Sequence, residues 1–347
     1  MERVTLKDIA QRAGVSVSAV SLALSGKGNI SKQQQERIRK LADELGYVPN
    51  PLLASLASKR FRTGDHAKGT LIALLEFPVM EGGPSPNAYH TPLIRYAKEL
   101  GYQARLMDLP EIERYRDLPQ MLYRCGMQGV IATGQPPPEM FADPERWKHF
   151  AMVQCGRYRS SLPFHTVRSD IFRSIKLIFQ TLRDRGYQRI GFAPGRHRVV
   201  MEDDEARLGA ALAMLHFQVP KAHYIPPYEK EFADKDCFLE WARREEPEVV
   251  VTFGVGQYYD LIAAGFRIPE DLGVACLHGF SRPLSSNGVR VAGLVQQTDI
   301  IAEQSLILLD QLIRYNTRGF PEMPRHTLIP SRWIEGETVK ESPKTNS

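Results

Sequence analysis

The period of the hydrophobic pattern changes at Thr70, and that change limits the fold more than any other feature of the chain. From Thr70 onward, short apolar runs alternate with stretches of helical spacing. A first series of strand-like runs falls at Leu71–Leu75, Gln103–Met107, Val130–Thr133 and Met152–Gln154. A second falls at Ile190–Ala193, Tyr224–Ile225, Val249–Phe253 and Val274–Leu277. Helical spacing is read at Pro92–Leu100, Leu118–Tyr123, Ile171–Arg185, Glu205–Phe217, Phe238–Arg244 and Ile300–Arg314. Alternation of this kind implies parallel strands covered by helices on both faces. Two series predict two similar lobes, with a ligand cleft at the carboxyl ends of the strands.

The first 48 residues follow another rule. Their apolar residues recur at helical spacing over Leu6–Ala13, Val17–Leu24 and Ser31–Leu45. Thr5 and Ser16 stand where helix caps belong, Gly14 where a helix stops, and Ser31 with Gln34 forms a capping box. Two helices joined by Gly14-Val15-Ser16 have the form of a helix-turn-helix. A further short helix is predicted after Pro49, with Asn50 as its cap and Pro51 in its first turn. At about two turns it is too short to be stable alone.

Charge sets the same segment apart. Residues 1–64 hold 11 Lys/Arg against 5 Asp/Glu, whereas the remainder holds 34 against 35. The whole positive excess of a chain of net charge +5 therefore sits in its first fifth, which points to a polyanionic partner at the N-terminus. No run of 18 apolar residues occurs and MERVTLKDIA has no apolar signal segment, so neither a membrane span nor a secretory leader is expected. The four cysteines are far apart and form no C-x-x-C pair. A cytoplasmic protein without disulfides, metal or cofactor is expected.

Val4-Thr5-Leu6-Lys7-Asp8-Ile9-Ala10, with Ala13-Gly14-Val15-Ser16-Val17-Ser18-Ala19-Val20-Ser21, closely resembles the DNA-binding headpiece of the LacI/GalR regulators. Glu44-Leu45-Gly46-Tyr47-Val48-Pro49-Asn50-Pro51 resembles the end of that headpiece and the start of its hinge helix. Gly186–Phe192 and Ile268–Val274 are similar to core segments of the family, and Gln296 stands where the family often has glutamine. The resemblance implies a headpiece (1–48), a hinge and linker (49–69) and a polar tail (337–347). Between them, 70–336 would form a periplasmic-binding-protein-like core of two parallel α/β sheets. Lobe 1 is expected to comprise 70–165 and 297–325, and lobe 2 166–296 and 326–336. It also implies a homodimer on a pseudo-palindromic double-stranded operator and a small-molecule effector, a sugar among the candidates, with repression the favoured sense.

In a helix-turn-helix the second helix offers its N-terminal residues to base edges in the major groove. Val17, Ser18 and Leu22 are the expected readers. Leu22 departs from the arginine common in the family, exchanging a guanine contact for a thymine methyl. Thr5, Ser16, Ser21, Ser25, Asn29, Ser31, Tyr47 and Asn50 are candidates for the phosphate backbone. The resemblance assigns Leu56 as a wedge in the minor groove; packing of its own short helix is the alternative.

In the lobes, Arg207 resembles the family arginine that grips sugar hydroxyls or a carboxylate, and a surface ion pair with the run Glu202–Glu205 is the competing explanation. That acidic run is read as a helix N-terminus meeting its dipole. His278, Gln257, Tyr89 and Phe280 are pocket candidates by position. The chain departs from the family after two strands. Gly254-Val255-Gly256-Gln257 replaces an Asn-Asp pair, and His278 stands in place of an acid, so sugar binding by paired acids is not secured. An enzyme with a dinucleotide loop at Gly254-x-Gly256 is disfavoured because Tyr259 occupies the third glycine position. An exported solute-binding protein would leave the basic N-terminus unexplained.

Overall fold

The computed structural model describes residues 6–25, 31–45, 69–78, 87–156, 162–279 and 288–340. The chain divides into two units, Met1–Ala67 and Lys68–Ser347.

The first unit contains α1 (Leu6–Ala13), α2 (Val17–Ser25) and α3 (Lys32–Glu44). Gly14 ends α1 with φ +68°, a left-handed conformation in which a side chain would be strained. Two residues on, Ser16 starts α2 by accepting the Ala19 N–H at 3.1 Å. Ser31 does the same for α3, accepting from Gln34 N at 3.3 Å. Ile9, Ala10 and Ala13 of α1 close a small core with Val20, Ala23, Ile38 and Ala42. The turn between α1 and α2 is thus fixed by a glycine, a cap and a shared core.

The second unit has two sheets. The first has strand order β10-β5-β4-β3-β1-β2, all parallel. Its strands are β1 (Thr70–Glu76), β2 (Tyr102–Met107), β3 (Met127–Thr133), β4 (Ala151–Gly156), β5 (His165–Ser169) and β10 (His326–Ile329). The second has order β11-β9-β8-β7-β6, with only β11 antiparallel. It comprises β6 (Ile190–Ala193), β7 (Val249–Thr252), β8 (Gly273–Cys276), β9 (Ala292–Val295) and β11 (Arg332–Ile334).

Helices bury both faces of each sheet, which is why the central strands are mostly apolar. On the first sheet, α4 (Asn87–Glu99) and α10 (Thr298–Arg314) cover one face through Leu93, Ala97, Leu306 and Leu309. The other face carries Leu118 and Leu122 of α5 (Leu118–Arg124), with Trp147 and Phe150. On the second sheet, α6 (Ile171–Asp184) and α7 (Glu202–Gln218) pack together on one face. Leu239 and Leu261, from α8 (Lys235–Glu245) and α9 (Val255–Ala263), lie on the other.

The chain crosses between lobes three times, after β5, β9 and β10. These crossings correct the expected lobe boundaries. Residues 166–169 and 326–329, assigned to lobe 2 from the sequence, belong to the first sheet, where His326 pairs with Thr166. Tyr224–Ile225 forms no strand. Pro220, Pro226 and Pro227 flank it and remove the N–H groups a ladder needs, so Ile225 is buried from a loop. Gly254 caps α9 rather than opening a phosphate loop.

Candidate functional site

On the first unit, Val17 is 44% exposed at the start of α2, as a reader of base edges requires. Ser16 and Ser31 are exposed, yet each hydroxyl already caps a helix. Arg12, Arg37, Arg39 and Lys40 are exposed, and none makes an ion pair among the described residues. The side chains of Ser18, Ser21, Leu22 and Ser25 lie outside the described set, as do residues Thr5, Asn29, Tyr47, Asn50, Leu56 and Phe280.

On the second unit, a cleft with about 620 Å³ of open space, its mouth included, lies at the carboxyl ends of the strands. Each crossing between lobes contributes to its lining: Arg168 and Ser169 from the end of β5, Gln296 after β9, and Ser331 after β10. Lobe 2 adds His197 after β6, Phe253 after β7, His278 after β8, and Asp203 and Arg207 from α7. Gly156, at φ +90°, lets Tyr89 approach the lining from behind. A Cβ there would stand 2.6 Å from the tyrosine ring.

Asp204 organises the lobe 2 wall. Its Oδ2 accepts the backbone N–H of Met201 at 2.9 Å and of His197 at 3.2 Å, and its Oδ1 faces His197 Nδ1 at 2.8 Å. Arg207 Nη2 donates to the same Oδ1. Burial alone would raise the Asp204 carboxyl. The hydrogen bonds from His197 and Met201 and the Arg207 charge overcome that penalty and hold it well below the usual carboxylate range. An ionised carboxylate only accepts, so His197 Nδ1 carries the proton. The neighbouring acid, Asp203, reaches across to lobe 1 and pairs with Arg168 at 3.3 Å. A second contact between the lobes runs from Gln135 Nε2 to Met201 Sδ at 3.1 Å.

Phe253 is the apolar floor. It stacks on Phe232 with ring centroids 4.8 Å apart and an interplanar angle of 14°. The Arg207 guanidinium lies 5.0 Å from its centroid and the His278 ring 4.6 Å. Among the described residues, Arg207 Nε, His197 Nε2, Gln296 Oε1 and Ser169 Oγ of this lining are buried without a hydrogen-bond partner. Unpaired buried polar groups each cost about 1–3 kcal/mol.

The structure brings Arg207 and His278 together in this cleft. It removes Gln257 from it: the carboxamide accepts from Phe253 N at 2.7 Å and donates to the Ala193 carbonyl at 2.8 Å, tying β7 to β6. Tyr89 is buried behind Gly156 and supports the wall. The acidic run forms the first turn of α7, as read, with Asp204 accepting the N-cap N–H. Asp203 and Asp204 in addition pair with the cleft arginines, so the ion pair expected for Arg207 is present but buried. Arg168, Ser169 and His197 were not anticipated. The first two end a strand that was not recognised, and the position of His197 just after β6 was the only clue to it.

A helix-turn-helix unit joined in one chain to a two-lobed core with a polar cleft defines a class, the ligand-responsive DNA-binding regulators. Residues 5–50 match the model of bacterial regulatory proteins of the lacI family. The chain is 25% identical over 298 residues to the HTH-type transcriptional regulator GntR of Escherichia coli (strain K12), which spans 80% of this chain and 82% of the relative. Its fold is similar to that of the lac repressor dimer bound to operator and the anti-inducer ONPF. The TM-score is 0.59 at 18% identity, over 98% of this chain and 100% of the other. The transcriptional regulator CelR–cellobiose complex is similar too, with TM-score 0.59 at 20% identity over 97% and 100%. Residues 5–50 thus match a lacI-family DNA-binding headpiece, and the chain as a whole is similar in fold to regulators of that kind.

Proposed function

We propose that the chain is a sequence-specific transcriptional repressor, cytoplasmic and without catalytic activity, whose operator affinity is set by a small hydroxylated molecule held between the lobes of its core. The reading divides the chain into a headpiece (1–48), a hinge and linker (49–69) and an effector core (70–336). The observation that carries it is the cluster of buried polar atoms beside Phe253 that lack partners among the described residues, in the same chain as a capped helix-turn-helix whose exposed Arg12, Arg37, Arg39 and Lys40 make no ion pair among those residues. In support, one structural relative is a complex with cellobiose and another is a dimer on operator DNA. A single headpiece of three short helices offers few contacts, so two copies on a pseudo-palindromic site are needed for useful affinity. Val17, Ser18 and Leu22 then read bases, Leu56 opens a minor-groove step, and the serines, Thr5, Asn29, Tyr47 and Asn50 hold phosphates.

Arg168–Asp203 and Gln135–Met201 bridge the lobes beside the ligand site, so occupancy of the cleft bears directly on their closure. Linkage then requires ligand and operator to change each other's affinity by one common factor, typically ~5–150-fold. Operator sites mapped by immunoprecipitation supply the DNA, and fluorescence anisotropy with and without a cleft ligand measures the factor. A ligand that binds the core and leaves operator affinity unchanged would refute the coupling.

A further inference from the structure

We propose that Asp203 and Asp204 make the cleft selective for neutral polyhydroxylated molecules against the corresponding sugar acids, with Asp204 the charge-selecting residue. This rests on the reading of the cleft as the effector site and goes beyond it by fixing the charge of the ligand.

Two cations, Arg168 and Arg207, line the cleft, and two consecutive carboxylates take one each. The Arg207–Asp204 pair is nearly inaccessible, its side chains 8% and 5% exposed. An incoming carboxylate therefore meets a guanidinium that is already neutralised, and beside it a carboxylate that holds its charge. Bringing a third, uncompensated charge into such a site carries a large desolvation cost. A neutral ligand carries none.

The unpaired atoms point the same way. Gln296 Nε2 lies 3.0 Å from His278 Nδ1, which leaves Gln296 Oε1 as an acceptor. His197 donates its Nδ1–H to Asp204, and Nε2 of that tautomer carries a lone pair. Ser169 Oγ both donates and accepts, and Arg207 Nε only donates. A carboxylate has lone pairs alone; it would satisfy Arg207 and leave Gln296 and His197 unmatched. A hydroxyl donates and accepts, so several on one ring match the whole set. Phe253, in the cleft lining, adds apolar surface beside them.

Matched pairs test the proposal on the full-length chain: glucose with glucuronate, ribose with ribonate and cellobiose with cellobionate, each titrated calorimetrically. At least one neutral member should bind the wild type at least tenfold more tightly than its acid. In Asp204→Asn, which frees the Arg207 charge, that preference should fall at least tenfold or reverse. Asp203→Asn, at a more accessible pair, should move it in the same direction by less, and serves if Asp204→Asn is poorly folded. An acid that binds the wild type as well as its neutral partner, no binding by any neutral member, or a preference unchanged in both variants each overturns the proposal. Arg207→Ala and Gln296→Ala separate this from failure of the effector-site reading. If a sugar binds both as it binds the wild type, the ligand lies outside the cleft and that reading fails.

Discussion

The two units treat their cations in opposite ways. In the first, Arg12, Arg37, Arg39 and Lys40 stand exposed on helices without carboxylate partners among the described residues. In the cleft of the second, each guanidinium is matched by an acid. Unpaired surface cations are suited to a partner that brings its own dense negative charge and gives up counterions on binding. Paired and buried cations are suited to hydrogen bonding with little net field. On the proposed function the same residue type would serve a polyanion in one unit and a small polar molecule in the other, with the placement of Asp and Glu deciding which.

Removing residues 1–64 is the strongest way to break this comparison. The remaining chain should keep its fold and ligand binding, while operator affinity falls by at least ~10³-fold, toward or below nonspecific levels. Operator binding retained in anisotropy measurements would place the DNA surface on the core. Salt sharpens the comparison next. If 6–10 phosphates are neutralised, raising salt from 50 to 200 mM should lower operator affinity by roughly 10³–10⁵-fold. Affinity for a sugar in the cleft should change by no more than about twofold, because buried pairs are screened far less. Parallel salt slopes for the two ligands would erase the distinction.

The smallest effect concerns acid. The Asp204 carboxyl is held below its ordinary value of 3.8, so its stabilising contribution is complete above about pH 4 and fades as pH falls toward its folded value. Asp204→Asn should cost about 3 kcal/mol at neutral pH, the order expected for breaking a buried pair. Melting curves of the two proteins should then converge as pH drops below about 4. A gap that stays constant to pH 3 would mean that the Asp204 charge contributes nothing.

The helix-turn-helix was readable because all its determinants are local: Gly14, Ser16 and the spacing of Ile9, Ala10, Val20 and Ala23 lie within one short stretch. The α/β class was readable from β1, β3, β4, β7 and β8, each of which contains three or more consecutive apolar residues. β5, β9, β10 and β11 were not: His165–Ser169, His326–Ile329 and Arg332–Ile334 are short and mix polar with apolar residues, and Ala292–Val295 is a four-residue run that contains a glycine. Missing them displaced the lobe boundaries, and with them Arg168 and Ser169. The cleft was legible only at Arg207 and His278. The partners of Asp203 and Asp204 lie outside the acidic run, so sequence gave no sign that these neighbours serve different lobes. Gln257 was misassigned for a related reason: a residue one turn into a helix after a strand can face the cleft or bind back to the sheet, and only geometry separates the two.

The three crossings carry a consequence for how the molecule is made. A chain emerges from the ribosome N-terminus first, and domains fold as they emerge. The core of the first unit is complete once Ala42 is out. Neither sheet of the second can close until β10 and β11, at 326–334, have followed. During synthesis the nascent chain therefore carries a finished helix-turn-helix for nearly three hundred residues before its ligand cleft exists.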